Sequence, residues 1–117
     1  MKVVITTVFL ALLLSSAGLV HAANAERGQQ LVEKGNCASC HGAGLKAPIL
    51  PAYPKLAGQY PDYIFYALRA YQIGGSNPLF GRVNAIMSAQ VQPFTTNDLQ
   101  DIAEYISSLP GDFVVKK

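Results

Sequence analysis

The sequence predicts an all-α fold. Apolar residues recur at helical spacing in three segments, no stretch shows the strict alternation of a half-buried strand, and residues 37–41 read Cys-Ala-Ser-Cys-His. Two thiols three positions apart, followed directly by an imidazole, are what covalent attachment of a c-type haem requires. The expected architecture is therefore three to five helices wrapped around one covalently bound haem.

Residues 1–25 precede that domain. One lysine, Lys2, leads an uncharged run from Val3 to Val20 rich in Leu, Val and Ala, and Ala23-Asn24-Ala25 supplies a small-x-small cleavage pattern. This reads as a secretory signal peptide cut after Ala25, with a cut after Ala22 as the second choice, leaving residues 26–117 as one domain. An uncleaved membrane anchor is the competing reading, since the run is just long enough to span a bilayer. Thr6, Thr7, Ser15, Ser16 and the cleavage pattern weigh against it, and no cysteine sits near the cut to take a lipid. The expected location is the periplasm.

The elements of the domain follow in order. Around Glu26 to Lys34, Gly28, Leu31 and Val32 fall at helical offsets, and Gly35-Asn36 stops the helix just before the cysteine motif. Pro61 is a good first helical residue and Asp62 suits the positive end of the helix it opens. Ile64, Leu68 and Tyr71 lie on one stripe, and Gly74-Gly75 ends the run. The last helix is the clearest. Thr95-Thr96-Asn97-Asp98 resembles a capping box, Leu99, Ile102, Ala103, Ile106 and Leu109 follow on one face, and Pro110-Gly111 stops it.

The motif admits other chemistries. A zinc site needs about four ligands, yet the chain has only these two cysteines and one other histidine, His21, which falls in the leader. A redox dithiol is expected after a strand in a βαβ pattern, and no strand-like alternation precedes Cys37; a structural disulfide is the remaining alternative. On the haem reading, Cys37 and Cys40 carry the thioether links and His41 is the proximal iron ligand. The other axial ligand follows by elimination: His41 is the only histidine and Met87 the only methionine once residues 1–25 are gone. Met87 follows the stretch Gly74-Gly75-Ser76-Asn77-Pro78, where a loop can return over the opposite haem face. A lone methionine also serves as core filler, which would leave an open or water-ligated iron. Histidine–methionine ligation leaves no vacant position for substrate, which favours electron transfer over catalysis, and no catalytic residue is expected.

Size and charge narrow the rest. Removal of 25 of the 117 residues leaves 92, a small domain that struggles to bury enough apolar area alone. A buried macrocycle with several hundred Å² of apolar face contributes on the order of 10 kcal/mol as an upper value, so the haem is expected to be part of the core. Without Lys2 the nine basic residues become eight against seven acidic ones, and two haem propionates would bring the net charge to about −1. Nucleic-acid binding is not indicated. Lys46 and Lys55 follow the haem motif and can orient an acidic partner or be ordinary solvated lysines.

Gly28-x-x-Leu31, Cys37-x-x-Cys40-His41-Gly42, Pro54-Lys55-Leu56-Ala57-Gly58-Gln59, Tyr63, Arg82-Val83-Asn84-Ala85-Ile86-Met87 and Asp101-Ile102-Ala103-Glu104-Tyr105-Ile106 together resemble the class I cytochromes c, and within them the monohaem relatives of the bacterial c553 and c4 type. The resemblance covers essentially the whole of residues 26–117. It implies that the Pro54 carbonyl accepts the hydrogen bond from the far nitrogen of His41, a role for which Pro48 and Pro51 compete. It implies that Leu56 packs on the haem face, that Arg82 lies near a propionate, and that Asn84 lies near the thioether or a propionate; Arg82 and Asn84 also fit an ordinary surface loop. Gly28 and Tyr105 correspond to the crossing of the terminal helices. Gly42-Ala43-Gly44 and the tyrosines at 63, 66 and 71 depart from the tighter family pattern.

The function so implied is a monomeric, periplasmic one-electron carrier holding one haem c. It docks transiently at its haem edge with redox proteins, a respiratory or dehydrogenase donor and a terminal acceptor, and meets the membrane only through them. The alternatives are a haem subunit of a larger periplasmic oxidoreductase, or an open-site sensor or peroxidase if Met87 does not bind the iron.

Overall fold

The computed structural model describes residues 18–112. Of the expected leader, residues 1–17 lie outside that range. Among the described residues there are five α-helices, no strand, and no helix long and apolar enough to cross a membrane. They are α1 (Ala25–Lys34), α2 (Ala38–His41), α3 (Pro61–Ile73), α4 (Ala85–Val91) and α5 (Thr96–Ser108).

Each long helix is bounded by side-chain chemistry. Asn24 caps α1, its Oδ1 accepting the Arg27 N–H at 3.0 Å, while Glu26 and Lys34 complement the helix dipole at either end. Pro61 opens α3, which ends at Gly74. The capping box of α5 is complete: the Asp98 N–H donates to Thr95 Oγ1 at 3.2 Å and the Thr95 N–H donates to Asp98 Oδ2 at 2.8 Å.

The core joins Val32 of α1, Leu45, Ile64 of α3, and Leu99, Ile102, Ala103 and Ile106 of α5, with Leu31, Leu56, Leu68, Phe94, Tyr105 and Leu109 packed around it. The stripe expected on α3 is only partly realised. Ile64 and Ala70 are its buried residues, whereas Tyr71 is half-buried and turns toward the segment that follows the helix.

α1 crosses α5 at Gly28. A Cβ there would stand 1.9 Å from the Asp101 carbonyl oxygen and 2.9 Å from Tyr105 Cβ, so no larger residue allows this approach. Beside the crossing lies a polar cluster. The Asp101 carboxylate is fully buried; it accepts from the Asn24 N–H at 2.8 Å, from His21 Nε2 at 2.8 Å and from the Arg27 guanidinium, which also reaches Asp98. Burial pushes both carboxyls up. The Thr95 amide and Arg27 outweigh it at Asp98, as Arg27 and the Asn24 amide do at Asp101, and both are held below the ordinary carboxylate value.

A depressed pKa contributes stability that is present above the unfolded value and lost as pH falls. Thermal stability should hold from neutral pH to the ordinary carboxylate range and drop below about pH 4. Asp101→Asn should lower the midpoint at pH 7 and flatten this acid limb in a pH series of melts; a limb of unchanged steepness would assign the acid sensitivity elsewhere.

Candidate functional site

The motif sits where α1 gives way to α2. Asn36 turns the chain in the left-handed region (φ 51°), the Cys37 N–H reaches back to the Val32 carbonyl at 3.2 Å, and α2 starts at once. Cys37 and Cys40 then lie on one turn, and the His41 N–H donates to the Cys37 carbonyl at 3.1 Å. Both cysteines are free thiols and half-buried. Burial, reinforced by the nearby Cys40, pushes the Cys37 thiol up, the opposite of the lowered pKa that a reactive dithiol needs.

His41 is buried, and its Nδ1 lies 2.8 Å from the Pro54 carbonyl oxygen. A carbonyl can only accept, so Nδ1 carries the proton and the Nε2 lone pair is left for a metal. It is Pro54, rather than Pro48 or Pro51, that takes this bond. The return of the chain depends on Gly42: at φ 79° a Cβ would stand 1.6 Å from the Ala47 carbonyl oxygen. The Leu45 carbonyl then accepts from the Leu56 and Ala57 N–H groups at 2.8 and 3.1 Å, which fixes Leu56 against the core beyond Pro54.

Met87 lies on α4, a two-turn helix, where the sequence pattern suggests a loop. Its side chain is half-buried. Asn84 is the cap of that helix, with Oδ1 accepting the Met87 N–H at 2.9 Å, so the amide acts on the backbone of the methionine. The Arg82 N–H donates to the Ala70 carbonyl at 2.9 Å, and its guanidinium lies 5.7 and 5.6 Å from the ring centres of Tyr63 and Tyr71. Arg82 therefore fastens the segment before α4 onto α3.

One further residue was missed by sequence reading. Gln72 Nε2 donates to the carbonyls of Val91 and Phe94 at 2.8 Å each, and Gln92 Nε2 returns a bond to the Gln72 carbonyl at 3.1 Å. A glutamine bonded to backbone some twenty positions away leaves no signal in composition or periodicity. Lys55 is also engaged within the chain, paired with Asp112 at 2.5 Å on the exposed surface.

This donor set fits a covalently held haem: two thiols on one turn, neither in a disulfide, and an imidazole whose free nitrogen is fixed by its other hydrogen bond. It does not fit zinc, because among the described residues no cluster of three or more His, Cys, Asp or Glu side chains could hold an ion. A family model described as Cytochrome c matches residues 25–110. The chain belongs to the cytochrome c family. It is 39% identical over 108 residues to cytochrome c4 of Stutzerimonas stutzeri, covering 89% of this chain and 50% of that one. Cytochrome c-554(548) of Halomonas halodenitrificans is 33% identical, over 74% of this chain and 98% of its own length. The crystal structure of reduced recombinant cytochrome c4 from Pseudomonas stutzeri superposes with a TM-score of 0.67 at 36% identity, covering 78% of this chain and 48% of that one. This cytochrome c domain thus has the class I fold, and the chain spans about half the length of the cytochrome c4 relatives it matches.

Proposed function

We propose that this cytochrome is an exported one-electron carrier with a single haem c, its iron held between His41 Nε2 and the Met87 thioether. The observation that carries the reading is the His41–Pro54 hydrogen bond directly beside Cys37 and Cys40. When bound, haem c supplies a reversible one-electron iron couple. The chain provides the rest. Cys37 and Cys40 would hold the haem through two thioether links.

Pro54 holds the proton on Nδ1, so His41 keeps its orientation and basicity through the redox cycle. Asn84 caps α4, Arg82 fixes the segment before it and Gln72 bonds its far end, which limits the movement of Met87 between oxidation states. Ligands that stay bound leave no site for substrate, and the electron passes to redox proteins docked briefly at the haem edge. The donor is a respiratory or dehydrogenase component and the acceptor a terminal one in the same compartment.

Protein purified from the periplasm of a host with haem-maturation machinery should have the mass of the processed chain plus one haem, and an alkaline pyridine spectrum of the c type. A product weighing only its amino acids, with no Soret band, overturns the proposal.

A further inference from the structure

Resting on that export reading, we propose that the leader is cut between Ala22 and Ala23, so that the mature chain starts at Ala23 and its α-ammonium becomes a ligand of the buried Asp101 carboxylate. Two adjacent triplets fit a signal-peptidase site, Val20-His21-Ala22 and Ala23-Asn24-Ala25, and sequence alone favours the second, which has alanine at both ends. The folded domain makes different use of the residues that each cut would remove.

Leu19 and Val20 stand fully in solvent, so the domain makes no use of them. Asn24 has two roles. Its side chain caps α1, and its N–H donates to Asp101 Oδ1 at 2.8 Å. A cut after Ala25 would delete both bonds, withdraw an amide from a carboxylate that is 0% exposed, and place a new positive charge in the first turn of α1, against the helix dipole.

A cut after Ala22 keeps Asn24 and removes only one Asp101 partner, the His21 imidazole. Hydrolysis of the Ala22–Ala23 peptide bond gives water's OH to the Ala22 carboxyl and its hydrogen to the Ala23 nitrogen, which takes up a further proton at neutral pH. The resulting ammonium is one residue from the amide already bound to Asp101. A group that keeps its charge to about pH 8 thereby takes the place of an imidazole.

The test is the intact mass and N-terminal sequence of holoprotein secreted from the full 117-residue chain. The expected product begins at Ala23 and carries 95 of the 117 residues with one haem. A start at Glu26, or anywhere else within the region, overturns the inference and leaves export intact; an uncut chain overturns the export reading itself. A deletion variant joins the leader through Ala22 directly to Glu26, removing Ala23-Asn24-Ala25. Its holoprotein should show a roughly 5- to 30-fold smaller folding equilibrium constant, the loss of a cap and of a bond to a buried charge. Stability equal to that of the wild type overturns the role given to Ala23 and Asn24.

Discussion

Met87→Ala should abolish the weak red-edge charge-transfer band of the ferric holoprotein and lower its reduction potential by on the order of a hundred millivolts or more, while the mass should still show one covalent haem. The expectation rests on Met87 being the sole methionine of the domain and on three residues that hold its helix. Asn84 accepts the Met87 amide, Gln72 holds the carbonyls at the far end, and Arg82 fixes the entering segment of chain on Tyr63 and Tyr71. A thioether favours ferrous iron over the harder donors that would take its place, such as water or hydroxide, so losing it lowers the potential. Retention of the band in Met87→Ala would place the second axial ligand elsewhere and remove the basis for reading the protein as a closed-site carrier. Gln72→Ala provides the graded companion: the band should be present at neutral pH and bleach at lower pH than in the wild type on alkaline titration.

Gly28→Val should cause a large loss of stability without touching the Cys37–His41 motif or Met87. The added Cβ would stand 1.9 Å from a backbone carbonyl oxygen and 2.6 Å from its carbon, both fixed within α5, so α1 must move away rather than a side chain giving way. Overpacking typically costs about 1–3 kcal/mol, and a clash with helix backbone belongs at or above the top of that range. In a domain of this size that is roughly 10–25 °C in melting temperature. The reduction potential of the fraction that folds should be unchanged, because α2, Pro54 and α4 are untouched. A shift of only a few degrees would show that the helices have another way to cross.

Much of this was legible because the controlling chemistry is local. The Thr95–Asp98 box, the buried face of α5 and the stop at Pro110 are short-range patterns, and Cys37-x-x-Cys40-His41 is a motif whose spacing is its chemistry. What escaped is held from a distance. The segment 85–91 is too short for periodicity to distinguish a helix from a loop, and its helix depends on the Asn84 cap and on Gln72 from α3. Asp101 lies off the apolar stripe of α5, yet it is fully buried because Arg27 of α1 and the Asn24 cap satisfy it. Tyr71 reads as core and instead faces a guanidinium eleven positions on.

The bond from Asn24 to Asp101 spans 77 positions, almost the length of the domain. A chain delivered N-terminus first cannot make it until its final helix has emerged, and contacts of such separation form slowly.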